Sequence, residues 1–358
     1  MKVALIYDRV NKWGGAERVL LALHEIFPDA SLFTSVYSKE NAKWAEIFPK
    51  VIPSFVNKFK LVQKRHELLP FFMPILFESH DFSTYDLVIS IASEAAKGVI
   101  TKPPTYHICY CLTPTRYLWS HYDLYFKGGT FKGITKPIVS YLRSWDKIAA
   151  YRPDVMIAIS KAVQERIKKY YGRESNVIYP PTSLLYSNEV KKNGEEDFFL
   201  VVSRLVPYKR VDLAIEVFNR LKLPLVIVGT GSEKNKLKKT AKDNIIFAGQ
   251  LTDSELAGYY KRCLALVMPQ EEDFGLAAVE AQSFGKCVIA FNKGGVKEII
   301  IPNKSGILFP KQSVKSLIGA IKEFKRSKFD SNIIKRNARR FSKERFKKEF
   351  LDLIKNLP

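Results

Sequence analysis

Two glutamates eight positions apart, Glu272 and Glu280, carry the clearest chemistry in this chain, inside the run QEEDFGLAAVE from Gln270 to Glu280. Carboxylates accept hydrogen bonds from hydroxyl groups and pair strongly with cationic donors. The apolar run before them, Cys263 to Pro269, reads as a buried parallel strand. Leu276 to Phe284 then reads as a helix and Cys287 to Phe291 as another strand. The acids therefore lie on a loop at the carboxyl end of a strand, leading into a helix amino terminus. Open α/β sheets bind ligands at that edge, and free N–H groups at such a helix end favour an anion. A solvated acidic loop, with Glu280 turned to water, would show the same spacing.

Two cations belong to the same sheet edge. Arg204 and Lys209 sit in RLVPYKR, a loop between the strand Phe198–Ser203 and the helix Val211–Leu221. Fixed cations in that position neutralise a diphosphate and stabilise it as it departs, an electrostatic form of catalysis. Acids for hydroxyls and cations for a diphosphate match the layout of a nucleotide-sugar.

The elements that must position these residues repeat along the chain. At 358 residues the length suits two domains. Lys2–Tyr7 is a first strand, Asp8–Gly15 a glycine-ended loop and Ala16–Phe27 a helix with apolar positions three and four apart. Gly14-Gly15 lets backbone amides approach a ligand, or simply turns the chain; the full G-x-G-x-x-G fingerprint is missing. Further strands are expected at 31–37, 87–92, 107–111, 155–159 and 177–179. Pro180-Pro181 and the polar stretch to Glu196 then mark the boundary. The second half repeats the alternation, with strands at 198–203, 224–228 and 245–248 and glycines at Gly229, Gly231 and Gly249 after them. Ile333–Leu357 reads as one basic helix with Phe341, Phe346, Phe350 and Leu353 along its apolar side.

Two other stretches bear on function. Thr113–Tyr125 is rich in aromatic residues and holds Arg116, Tyr117 and His121; it suits a sugar and a phosphate, and equally a lid packed over the core. Pro53–Phe82 mixes Lys58, Lys60, Lys64 and Arg65 with many Phe and Leu residues, which fits a membrane surface or a helix pair packed on the sheet.

Composition bounds the rest. A net charge of +22 invites an anionic partner, and inner-leaflet lipid is one candidate; no nucleic-acid-binding module is visible. The four cysteines, Cys109, Cys111, Cys263 and Cys287, lie in apolar runs and read as buried small hydrophobes; no metal-ligand cluster is apparent. The first strand begins beside Met1 and no apolar run approaches a membrane span, so the expected location is cytoplasmic, peripheral on the inner leaflet.

The motifs VVSRLVPYKRVDLAIEVF, IVGTGSE, FAGQLTDSEL, EEDFGLAAVE, FNKGGVKEII and GILFP together resemble the family 4 retaining glycosyltransferases. WGGAERVL, HICYCLTPTRYLW and NVIYPPT in the first half are similar to the WbaZ-like mannosyltransferase branch of that family. The resemblance implies an α/β GT-B fold: two facing Rossmann-like domains, a deep cleft between them, and a C-terminal helix crossing back to the first. It implies an acceptor-binding domain at 1–182, completed by the helix at about 338–358, and a donor-binding domain at 183–337.

By the same resemblance Arg204 and Lys209 hold the donor diphosphate, Glu272 lies beside the donor sugar and Glu280 on the ribose. Phe274, Gly275 and Leu276 form the backbone turn against sugar and phosphates. Gly249 and Gly15 complete the donor side, while Arg116, Tyr117 and His121 are the acceptor-side candidates. The catalytic set is then Glu272, Arg204 and Lys209, with no metal and no cofactor beyond the donor substrate. Many members carry histidine where this chain has Leu112; either His107 or His121 substitutes, or the substrate differs, or activity is low, and no catalytic histidine is assigned. The implied reaction transfers a hexose, mannose from GDP-mannose, to a glycan or lipid-linked acceptor in polysaccharide or glycolipid synthesis. The alternatives are a nucleotide-sugar epimerase of the same fold and a non-catalytic nucleotide-sugar or membrane-binding protein.

Overall fold

The computed structural model describes residues 1–59, 71–123, 132–182 and 198–357. It divides into two units, Met1–Tyr179 with Lys347–Pro358, and Pro180–Phe346. The expected division at 182/183 lies three residues past the first limit, and the expected return at about 338 lies nine residues before Lys347.

Among the described residues the first unit carries seven strands: β1 (Val3–Tyr7), β2 (Ser31–Thr34), β3 (Val51–Pro53), β4 (Leu87–Ala92), β5 (Tyr106–Cys111), β6 (Val155–Ala158) and β7 (Asn176–Val177). Every pairing is parallel, in the order β3-β2-β1-β4-β5-β6-β7. A parallel sheet must be covered on both faces, and β1 and β4 are buried along their whole length. From β1 the chain winds outward to β3, then returns to the other side of β1 as β4. The β1/β4 edge is therefore the topological switch point, where the two loops part and leave a crevice.

The second unit repeats the plan with β8 (Phe199–Val202), β9 (Leu225–Val228), β10 (Ile245–Gly249), β11 (Ala265–Met268), β12 (Cys287–Phe291) and β13 (Gly306–Phe309). Its order is β10-β9-β8-β11-β12-β13, again all parallel, with the switch point between β8 and β11. The helix Val211–Leu221 lays Val211, Ala214, Ile215, Val217 and Phe218 onto a core that includes Phe199, Val201, Ile227, Ile289, Phe309 and Leu317. Burying each of the larger side chains, Val211, Ile215, Val217 and Phe218, stabilises the fold by about 1.5–3 kcal/mol, which anchors β8 and the loop after it.

Three local features differ from the sequence reading. The short strands β3 and β13 were not expected as strands; β3 has three residues, too few for a periodicity to register. The tail is not one helix. It breaks into Ser331–Ala338, a 3₁₀ turn at Arg339–Phe341 and Lys343–Lys355. Asn337 turns inward to donate to Gln282 Oε1 and the Ile299 carbonyl, both at 2.6 Å, and Ser342 then takes an extended conformation that restarts the helix. Phe341, Phe346 and Phe350 are fully buried, as their spacing requires. The last helix starts in the second unit and belongs to the first from Lys347 onward, where Lys347 pairs with Glu25. In the basic segment, Phe55–Lys58 forms a 3₁₀ turn and Met73–Glu78 a helix; Lys60, Lys64 and Arg65 lie outside the described residues, as does Tyr125 of the aromatic segment.

Candidate functional site

The loops after β8 and β11 flank the second unit's switch point, so residues 63 positions apart in sequence meet there. Lys209 ends a 3₁₀ turn after β8, and Glu272 lies on the loop after β11. Lys209 Nζ donates to Glu272 Oε1 at 2.6 Å and Oε2 at 2.7 Å, with the two side chains only 9% and 16% exposed. Gln270, two residues past β11, donates its Nε2 to Glu272 Oε1 at 2.7 Å. Arg204 is exposed and donates to the Tyr208 hydroxyl at 2.5 Å, and both Arg204 and Lys209 lie against the Tyr208 ring. One cation is thus committed to a carboxylate, and the other is presented to solvent on a tyrosine.

Glycines hold these loops at their spacing. A side chain on Gly231 would meet the Leu205 carbonyl oxygen at 2.2 Å, fixing the β9 loop against the loop of Arg204. Gly294 has φ +80°, and a Cβ there would meet the Glu272 carbonyl oxygen at 2.1 Å. The neighbouring Gly295 N–H donates to that same carbonyl at 2.9 Å, so the β12 loop braces Glu272 directly. Only glycine allows both the close approach and the left-handed backbone.

The helix Leu276–Ser283 follows, entered through Gly275 at φ +111° with no side chain capping it. The Ala278 N–H turns back to the Gly275 carbonyl at 2.9 Å, and no side chain caps the two amides before it. Phe274 puts its ring into the core against Phe341, centroids 5.4 Å apart, so this residue offers the crevice its backbone alone. Glu280 does not turn to water. It is 5% exposed and accepts the Tyr260 hydroxyl at 2.8 Å, which separates its surroundings from those of Glu272. Gly249 ends β10 at φ +76° with open space around it.

The first unit's switch point was not foreseen from sequence. Asp8, after β1, accepts the Ser93, Glu94 and Ala96 N–H groups from the loop after β4. Arg9 forms a two-pronged pair with Glu94 at 2.9 and 2.5 Å. Burial pushes the Glu94 carboxyl up, against the pull of Arg9, and the Asp8 charge adds to the rise. Deeper lies a second pair, Lys97 with Asp146 at 2.5 Å, 2% and 1% exposed. Asp146 also accepts Thr115 Oγ1, Trp119 Nε1 and the Tyr171 hydroxyl at 2.9, 2.7 and 2.8 Å. Burial alone would discharge Lys97, but the Asp146 carboxylate outweighs it and holds the ammonium protonated. Nothing in the local sequence marks a lone Lys and a lone Asp as partners; the signal was the aromatic run around Thr115, whose polar atoms need acceptors when buried.

That network fixes the aromatic segment. Leu118 packs with Val139 and Leu142, and Tyr117, Trp119 and Tyr122 pack around them. Burial first, then the nearby Glu94 and Asp146 charges, hold the Tyr117 hydroxyl well above the usual phenol range. His121 is half-buried beside Ser120 Oγ at 2.8 Å. His107 is buried in β5 on Ser90 Oγ, and burial holds its imidazole at about 3, so it is a neutral core residue and no substitute at the Leu112 position. Gly15 begins the helix Gly15–His24 and is exposed. Gly15, Arg116, Tyr117 and His121 all belong to the first unit, and the remaining candidates to the second.

Residues 185–341, nearly the whole second unit, match the model of the glycosyl transferases group 1 family. The second unit belongs to that family. The chain is 26% identical over 224 residues to the O-antigen chain mannosyltransferase C of Escherichia coli, covering 58% of each protein. It is also 26% identical over 200 residues to the GDP-mannose-dependent alpha-(1-6)-phosphatidylinositol monomannoside mannosyltransferase of Mycobacterium tuberculosis, covering 48% of this chain and 52% of that one. The chain thus spans a little over half the length of these curated relatives. In fold it is similar to Anabaena HepE, solved with UDP and glucose, at a TM-score of 0.70, 19% identity and full coverage of both chains. The architecture is GT-B, with two Rossmann-like domains.

Proposed function

We propose that the protein is a retaining glycosyltransferase that moves a hexose, mannose from GDP-mannose, onto a glycan or lipid-linked acceptor. The observation that carries this reading is the Lys209–Glu272 pair on the two loops of the β8/β11 switch point. A cation for a diphosphate and an acid for sugar hydroxyls stand side by side where an open α/β sheet takes its ligand. The two mannosyltransferase relatives favour mannose, and the relative named as GDP-mannose-dependent favours the guanine nucleotide.

In this mechanism Arg204, Lys209 and the amides of the helix Leu276–Ser283 take the negative charge that builds on the diphosphate as the C1–O bond breaks. Glu272 orients the sugar through its hydroxyls, and Glu280 on Tyr260 takes the ribose side. The first unit, with Arg116, Tyr117 and His121 on its fixed aromatic segment, receives the acceptor. Exclusion of water from the site protects the activated sugar from hydrolysis.

The same unit is proposed to rest on the anionic inner leaflet. Phe71, Phe72, Ile75 and Tyr141 are exposed, and the Phe71 ring touches both Phe72 and Tyr141. An apolar cluster of this kind on a protein of charge +22 suits lipid binding. Co-sedimentation with anionic vesicles checks this: Phe71→Ser with Phe72→Ser should abolish binding, and unchanged sedimentation rejects it.

Turnover is the test of the reaction. The protein is incubated with GDP-mannose, GDP-glucose, UDP-glucose or UDP-galactose, with and without a membrane-lipid extract as acceptor. Release of nucleoside diphosphate with an α-linked hexose on the acceptor supports the reading. An isomerised donor without transfer identifies an epimerase, and nucleotide-dependent stabilisation without turnover identifies a binding protein.

A further inference from the structure

The pairing of Lys209 with Glu272 has a consequence for how a diphosphate enters and leaves. Lys209 Nζ sits within 2.6–2.7 Å of both carboxylate oxygens, and the pair is largely withdrawn from water. A cation in that state is already neutralised. A diphosphate oxygen that takes Lys209 competes with Glu272 for its charge and its donors, because two of the ammonium's three N–H groups are spent on this one carboxylate. Nor can the carboxylate leave freely. Gln270 is 1% exposed and donates to Glu272 Oε1 at 2.7 Å, while its own Oε1 is buried without a hydrogen-bond partner. A buried amide that leaves one atom unpaired is costly, so the side chain is held in place by its remaining bond to Glu272. The backbone of Glu272 is braced independently by Gly294 and Gly295.

We propose that Glu272 is the internal counter-ion of Lys209, exchanged for the donor's diphosphate, and that Gln270 is a positioning residue that keeps the displaced carboxylate aimed at the sugar. This rests on the donor-site reading above. With a nucleotide-sugar bound, Lys209 gains phosphate oxygens and Glu272 gains sugar hydroxyls, so breaking the pair is offset twice. With a nucleoside diphosphate alone, only the first gain remains, and the carboxylate competes with the product for Lys209. The exchange disfavours the bare product relative to the donor and drives it off after transfer. It involves no covalent step and no proton movement.

The experiment measures GDP, UDP, GDP-mannose and UDP-glucose binding by calorimetry to wild-type protein, Glu272→Gln, Lys209→Ala and Gln270→Leu. Glu272→Gln removes the competing charge and is expected to bind the cognate nucleoside diphosphate about tenfold or more tightly, since it leaves Lys209 without its partner. The same variant should bind the nucleotide-sugar no better than wild type, so the product-to-donor affinity ratio inverts. Gln270→Leu should leave diphosphate affinity within about twofold of wild type and raise the donor KM, a split that a general loss of packing does not give. Glu272→Asp, which keeps the charge and shortens its reach, serves if Glu272→Gln folds poorly, and should give a smaller gain of the same sign. Equal or weaker diphosphate binding in both Glu272 variants, with wild-type binding intact and lost in Lys209→Ala, overturns the exchange and leaves the donor site standing. Absence of all four ligands from wild-type protein overturns both.

Discussion

The two sheets share one strand order and one kind of switch point, yet they fill it in opposite ways. At β1/β4 the crevice is closed by the protein itself: Asp8 takes three backbone amides, Arg9 grips Glu94, and Lys97 with Asp146 lies under a shell of Thr115, Trp119 and Tyr171. At β8/β11 a single cation–acid pair stands between the loops, a second cation faces solvent, and the next helix begins uncapped. Burying charge is costly unless every partner is present. The first arrangement satisfies that condition with many internal partners and acts as a rigid frame; the second satisfies it with one pair and Gln270, and leaves Arg204 facing solvent.

The largest effect that could break this contrast is in the frame. Asp146→Asn strands the Lys97 ammonium in the interior and should cost about 3–5 kcal/mol, read by denaturant unfolding. Glu272→Gln in the other crevice should cost less than about 2 kcal/mol, because its pair is nearer solvent. Comparable losses in the two variants would erase the distinction.

Acid sharpens it next. His107 is held at about 3 in the fold against 6.5 when exposed. Between those values the unfolded chain binds the extra proton, so stability present above pH 6.5 is lost as pH falls, by roughly 3 kcal/mol at pH 4. His107→Gln should flatten the fall of melting temperature between pH 6.5 and 4; an unchanged slope would locate the acid sensitivity elsewhere.

Two glycines give the smaller effects. Gly294→Ala drives a methyl into the Glu272 backbone carbonyl at a left-handed position, and should lower melting more than Gly249→Ala does while reducing kcat/KM by about 100-fold through misplacement of the acid. Gly249→Ala meets open space and pays only for its left-handed backbone, about 1 kcal/mol. If the second substitution proves the more damaging to activity, the bracing of Glu272 by the β12 loop is not what positions the acid.

Much of the β8/β11 crevice was readable from sequence because its parts are contiguous. The strand, acidic loop and helix from 263 to 291 follow one another, and their apolar periods change where the structure changes. The loop of Arg204 and Lys209 could be placed on the same sheet edge from its own strand–loop–helix pattern. What sequence does not contain is the neighbour relation between β8 and β11, which three-dimensional winding creates and which turns two loops into one pair. The same winding joins Asp8 to residues 93–96 and Lys97 to Asp146, 49 positions apart, with no local pattern to announce them. The tail was misread for a related reason. Its apolar spacing is helical throughout, and only the buried bonds of Asn337 to Gln282 and Ile299 reveal the break.

The central claim is that Lys209, on the β8 loop, receives the diphosphate of a nucleotide-sugar. Its most direct measurement is GDP-mannose affinity by calorimetry for wild-type protein and Lys209→Ala, both checked for an unchanged fold by circular dichroism. The account predicts saturable binding to the wild type and a loss of about 30-fold or more in the variant, the cost of one charge-assisted contact removed from a desolvated site. Equal affinity in the two proteins would contradict it.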